Sequence, residues 1–271
     1  MKLRLLFTLQ FVFIATIIKA QIIKLYHETT TNGFAVYADN AAPYPTSVAL
    51  NLELTNLYFS EGGKRIFVIP AASKRVKIGE LKVADSFNRY TFNYKFISTM
   101  GDVTITNYDK QYQYDLPFQK GTKFKLHQGY NGEFSHQNEN ALDFTMPEGT
   151  EILAARDGVV VQIEKNNTEA CPREECSKYN NYIVVMHADG TFARYAHIQH
   201  NGTLLSVGNP VKKGDVIASS GNVGWSSGPH LHFVCFLAGF GKSNSLETQF
   251  KVDDGSKVIS LQPGNFYSRG Y

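Results

Sequence analysis

Apolar and polar residues alternate in short runs along the first half of the chain, at Phe34 to Tyr37, Ser47 to Leu54, Arg65 to Pro70, Arg75 to Val83 and Tyr90 to Phe96. A period of two is that of a strand with one buried face, and turn residues separate the runs, so a small antiparallel β-sandwich is expected over residues 21–115. Mixed polar residues from Gly101 to Gly121, with Asp115-Leu116-Pro117 near the end, predict a connection. Further strands are expected at Glu151 to Ala154, Gly158 to Ile163, Tyr182 to His187, Thr191 to His197, Asp215 to Ser219 and Leu231 to Phe236, with Ala188-Asp189-Gly190 as a hairpin turn. The pattern predicts an all-β chain whose second domain covers residues 116–271.

One run does not alternate. Leu5 to Ile18 is apolar but for Thr8, Gln10 and Thr16, follows Lys2 and Arg4, and leads to Ala20-Gln21. It falls short of the roughly 18 apolar residues of a membrane span, so residues 1–20 are read as a secretory signal peptide. The protein is then expected in the periplasm, the cell envelope or the medium, with no stable membrane span once the signal is removed. Composition agrees with the strand pattern, since 15 Tyr, 19 Phe and 22 Gly stand against only four Met. The formal charge of +3 disappears with Lys2, Arg4 and Lys19, leaving 24 basic and 24 acidic residues and no electrostatic case for a nucleic-acid partner. In an exported chain Cys171 and Cys176 predict a local disulfide, and Cys235, within the apolar run His232 to Phe236, a buried free thiol.

Chemistry concentrates in residues 116–271, which hold seven of the eight His. In Pro229-His230-Leu231-His232-Phe233, residues two apart share a strand face, so both imidazoles point one way while Leu231 and Phe233 pack on the other. A same-face His pair suits zinc. His136 and Asp143 could converge on one cation, because a carboxylate inside Ala141-Leu142-Asp143-Phe144 needs a partner when buried. In Phe192 to Ile198, alternation puts Ala193, Tyr195 and His197 on one face, and His197 could face the same cleft. Glu139 could serve as a base but reads as a solvated loop charge. His187 reads as a structural hydrogen-bonder, and His127 and His200 as loop residues. Neither a phosphate-binding Gly-rich loop nor a Gly-x-Ser-x-Gly elbow occurs.

Taken in order, these segments resemble the lysostaphin-type zinc metalloendopeptidases, whose signatures run His…Asp, Tyr-x-His, His-x-His. The resemblance extends from about Pro117 to Phe236 and includes Ala154-Ala155-Arg156-Asp157-Gly158, Tyr195-Ala196-His197, Lys213-Gly214-Asp215 and Ser220-Gly221-Asn222 through Phe233. Six residues separate His136 from Asp143 where the commoner form of the family has three, and this longer spacing resembles a branch with Ser-His…Ala-Leu-Asp-Phe. The resemblance implies one zinc per chain held by His136, Asp143 and His232, and catalytic roles for His197 and His230 toward the attacking water. It implies hydrolysis of peptide stems or cross-bridges of peptidoglycan. Two rivals are a wall-binding or activator module of the same fold and a peptidase for exported Gly-rich proteins. Retention of all five residues argues against the first.

Overall fold

The computed structural model describes residues 22–271, so the stretch read as a signal peptide lies outside the described residues. The described chain is strands and loops with one short 3-10 helix, Glu174–Tyr179, in keeping with the all-β expectation. None of its helices is long and apolar enough to cross a membrane.

The first region is two antiparallel sheets face to face. Ile23–Thr30, Gly33–Asn40, Ser73–Val83 and Leu57–Phe59 pair in that order, and Ile66–Ile69, Thr46–Thr55 and Thr91–Met100 form the other sheet. Val36, Val48, Leu50, Ile69 and Leu81 fill the space between them, each contributing about 1.5–3 kcal/mol by leaving water. The pattern of alternation missed two of these strands. Ile23–Thr30 carries Lys24 and His27 on exposed positions but has its later residues polar on both faces, and Leu57–Phe59 is too short to show a period.

The second region is built on a nine-stranded sheet. Pro210–Val211, Gly158–Glu164, Tyr182–Met186, Phe192–Ala196, His230–Leu237, Ala141–Thr145, Lys123–Gln128 and Phe266–Ser268 are neighbours in that order, and Asn244–Leu246 also pairs with His230–Leu237. One face of the sheet is buried under the main core, where Leu126, Phe144, Tyr195, Phe233 and Cys235 lie. The core also takes in Tyr114, ahead of residue 116, and Gln113–Tyr114 pairs in parallel with Gln249–Val252.

The opposite face is shared. Ala141, Val184, Phe192, Val234 and Phe236 form an apolar patch on which Tyr44, Met100 and Val103 of the first region pack. The chain crosses there at Gly101, whose φ is +89° and where a Cβ would stand 2.8 Å from the Phe192 ring and from Ala238, so no larger residue fits without displacement. The Thr99 hydroxyl donates to the Gly239 carbonyl at 3.1 Å across the same seam. The unpatched end of this face carries the side chains singled out above.

Cys171 and Cys176 are disulfide-bonded, and Cys235 is a buried free thiol, as expected from sequence.

Candidate metal centre

Asp143 lies directly across from His232 on the antiparallel strands Ala141–Thr145 and His230–Leu237, and Thr145 lies across from His230. Facing residues on one side of such a pair have Cβ atoms about 4.5–5.5 Å apart, so strand pairing alone brings the carboxylate to the imidazole. His136 arrives from the loop before the Asp143 strand and is fully buried. His136 Nε2 stands 3.3 Å from His232 Nδ1 and 3.2 Å from Asp143 Oδ2, while His232 Nδ1 stands 3.0 Å from Asp143 Oδ1. His136 Nδ1 donates to the Gly129 carbonyl at 2.9 Å, which leaves Nε2 free to face the group.

The donor set fits a metal ion. Ligand atoms held about 2.0–2.1 Å from a tetrahedral zinc are about 3.3–3.4 Å from one another, and two nitrogens with one carboxylate oxygen are common zinc donors. The 3.3 Å between the two nitrogens matches that spacing, and each nitrogen has one of the two Asp143 oxygens at 3.2 or 3.0 Å.

Electrostatics follow from burial and from the contacts. Burial works to raise the Asp143 carboxyl, but hydrogen bonds to His136 and His232 hold it well below the usual carboxylate range. Burial works to lower the His136 imidazole, and Asp143 beside it outweighs this, so His136 is raised. Gln128 steadies the pair: its Nε2 donates to Asp143 Oδ2 at 3.1 Å and to the Ser135 hydroxyl at 2.8 Å, and its Oε1 accepts the Phe134 N–H at 3.1 Å. A β-bulge between Asp143 and Phe144 makes this possible, pairing Asp143 with Gln128 but Phe144 with Leu126. His127 is the extra residue, and it lies on a strand and lines the cleft where its sequence surroundings suggested a loop.

His197 reaches the cleft by a route that alternation does not give. The strand ends at Ala196, and Tyr195 points into the main core with Phe233, on the face away from His232. On strict alternation His197 would follow Tyr195 inward. Instead its φ is +61°, a left-handed conformation open to His more than to most residues, and this turns the ring to the other side. Its centroid lies 4.5 Å from that of His230 and 5.8 Å from that of His232. The cleft face of the strand is therefore that of Phe192, Arg194 and Ala196, not that of Tyr195.

Both second-rank imidazoles are tied through Nδ1. His197 Nδ1 donates to the Val223 carbonyl at 2.8 Å and His230 Nδ1 to the Gly228 carbonyl at 2.8 Å, so each keeps Nε2 as an acceptor. Burial, with help from the His230 and His232 rings, pushes the His197 pKa down to about 3, and burial also lowers that of His230. Both rings are neutral near pH 7. Glu139 sits at the cleft margin. His187 donates to the Asp157 carbonyl at 2.8 Å in the core below, as a structural residue should, and His200 lies exposed beside Asn201.

The cleft encloses about 420 Å³. One wall is the segment Trp225 to Pro229, which is held to the disulfide-bonded loop: Ala170–Cys171 runs parallel to Gly224–Trp225, and Trp225 N–H donates to Asn180 Oδ1 at 2.9 Å. Gly224 has φ +91°, and a Cβ there would overlap Asn180, which explains the glycine. Phe134 and Trp225 flank the opening with centroids 6.5 Å apart. Gln128 and Arg194 carry no sequence signal of their own, since only the bulge and the strand face bring them to the cleft.

Residues 137–240 match the model of peptidase family M23, a span that contains Asp143, His197, His230 and His232 and begins one residue after His136. An uncharacterized metalloprotease of Buchnera aphidicola is 38% identical over 96 residues, 35% of this chain and 22% of that protein. The peptidoglycan DD-endopeptidase ShyA of Vibrio cholerae is 36% identical over 100 residues, 37% of this chain and 20% of that protein. The aligned region thus spans about a fifth of the length of these relatives. Among solved structures, lysostaphin from Staphylococcus simulans is 29% identical with a TM-score of 0.33, covering 42% of each chain. The family match coincides with the part of the fold that gathers the His and Asp side chains, and residues 137–240 are similar to peptidase family M23.

Proposed function

We propose that this protein is an exported zinc metalloendopeptidase that hydrolyses peptide bonds in peptidoglycan stems or cross-bridges. The observation that carries this reading is the convergence of His136, Asp143 and His232, whose ligand atoms lie within 4.8 Å of one another, beside a cleft that also holds His197 and His230. The likeness to peptidoglycan DD-endopeptidase ShyA supports the substrate class. His136, Asp143 and His232 would hold one zinc ion per chain, with a fourth position left for water or substrate. Zinc bound there supplies Lewis acidity toward a carbonyl and lowers the pKa of water to about 7.

The chain's own residues handle the proton. His197 and His230 are fixed as acceptors at Nε2, because each Nδ1–H is committed to a carbonyl. The pair is placed to take a proton from the attacking water and deliver it to the amine nitrogen as the C–N bond breaks. The Ser226 hydroxyl, 3.1 Å from His230 Nδ1 and 2.6 Å from Asn222 Oδ1, helps hold the His230 ring in this orientation. Residues 116–271 carry the chemistry in this reading, and residues 21–115 are an accessory module.

Mass spectrometry of fragments released from purified peptidoglycan tests the proposal. New peptide amino termini should appear, vanish with a chelator and return with added zinc. Release that persists unchanged through chelation, or no release by zinc-loaded protein, would overturn it.

A further inference from the structure

Arg194 has no role in the scheme above. It projects from the cleft face of the Phe192–Ala196 strand, with Val184 across on one neighbouring strand and Val234 on the other. It is the only Lys or Arg among the described residues that line the cleft. Its guanidinium carbon lies 5.5 Å from the centre of the Tyr182 ring and 5.4 Å from that of Phe236. Ring contact of this kind satisfies none of the guanidinium N–H donors. No carboxylate among the described residues pairs with it, and its Nε is buried with no hydrogen-bond partner. The side chain as a whole is half-buried and lines the cleft, so a group that accepts from its outer N–H donors would gain a charge-assisted hydrogen bond.

We infer that Arg194 is a specificity-determining residue that receives a free carboxylate of the peptide substrate. The inference rests on the reading of the site as a peptidase. A carboxylate matches the guanidinium edge with two parallel hydrogen bonds, which no amide can reproduce. Position narrows the ligand further. Ala196 lies directly across from His232, and Arg194 is two residues along the same strand and face, about 7 Å away at strand rise. An extended substrate covers that distance in about two residues, so the carboxylate belongs to a residue within about two of the scissile bond. The substrate is thus an acidic peptide, with a side-chain or terminal carboxylate near the cut.

Cross-linked peptides from purified peptidoglycan, used native and after conversion of their free carboxylates to amides, provide the test. The wild-type protein should cleave the native peptides about tenfold or more better in kcat/KM than the amidated ones, the effect of one charge-assisted pair. Arg194→Gln should lose this preference by falling to the amidated level on native peptides, keep its zinc, and show the change mainly in KM. Arg194→Lys should recover part of it. Calorimetric binding of both peptide forms to His230→Ala, with and without Arg194→Gln, reads the same preference when no bond is cut. Equal affinity of His230→Ala for both forms, or a preference that survives Arg194→Gln, would overturn the inference. Tight carboxylate-dependent binding without hydrolysis by the wild type would overturn the peptidase reading and leave Arg194 as the recognition residue.

Discussion

Tyr195 belongs to the Tyr-x-His signature, yet it faces away from the cleft, and replacing it by Phe separates a structural role from a catalytic one. The side chain is fully buried in the main core, its ring centroid 5.2 Å from that of Phe233. Its hydroxyl accepts the Ala155 N–H at 2.9 Å. Tyr195→Phe keeps the ring and its packing but leaves that buried N–H without an acceptor, at a cost of about 1–3 kcal/mol. For a domain of this size each kcal/mol lowers Tm by about 2–4 °C, so the variant should melt on the order of 2–12 °C below the wild type. Zinc content and kcat, measured well below the new Tm, should stay at wild-type level. Scanning calorimetry, elemental analysis and peptide hydrolysis on one preparation read all three. An unchanged Tm with kcat reduced about tenfold or more would put the phenol in the chemistry and refute this reasoning.

His232→Ala should abolish both zinc binding and activity, whereas His230→Ala should keep one zinc per chain and lose activity; equal metal loss by elemental analysis would show the roles to be wrongly divided. Replacing Cys171 and Cys176 by Ser should lower stability by about 2 kcal/mol or less, as the closed loop is short, and should raise KM more than it affects zinc, because the loop holds the Trp225 wall. His187 is buried neutral, with its pKa pushed down to about 4 by burial. The unfolded chain takes up this proton below about pH 6.5, so stability is full above that pH and drops by about 3 kcal/mol toward pH 4; urea midpoints for the wild type and His187→Gln should diverge in slope over that window. A chain starting at Thr104 should fold and bind zinc, while one starting at Leu116 lacks the Tyr114 ring of the main core and should be weaker by about 3–5 kcal/mol, the usual cost of losing a buried aromatic; equal melting temperatures would place the first core boundary later.

The parts of the site that follow from strand periodicity were legible in the residues alone. His230 and His232 share a face because they are two apart, and Asp143 joins them because its apolar neighbours make a strand that pairs in register. Alternation set His197 toward the cleft, but on the face of Tyr195. Its own pattern sends it inward with Tyr195, and a single left-handed residue reverses that. Gln128 depends on a bulge, which inserts one residue without leaving a compositional trace. Arg194 looks like any polar residue on a strand until the core face is known. The short strands Leu57–Phe59 and Phe266–Ser268 escaped notice for a simpler reason, since three residues do not define a period.

One face of the central sheet explains why these pieces belong together. Its first row holds Asp143, His232 and Ala196, the second Ala141, Val234 and Arg194, and the third Phe236 and Phe192, as the pairing registers require. Polarity falls along that series while the backbone stays continuous. The first row gathers candidate metal donors, the third is apolar and packs with Tyr44, Met100 and Val103, and the second joins Ala141 and Val234 of the same buried patch to Arg194, which lines the cleft. A cation is tolerable in that middle row because the Phe236 and Tyr182 rings lie near it while the side chain lines the cleft. Moving the same guanidinium one row toward the patch would bury it without a partner, at the cost of an unpaired charge. Moving it one row the other way would set it beside the His and Asp donors, where its charge would oppose a metal cation. The place of Arg194 is thus the one row of this face where a permanent positive charge is compatible with both the packed module on one side and a metal on the other.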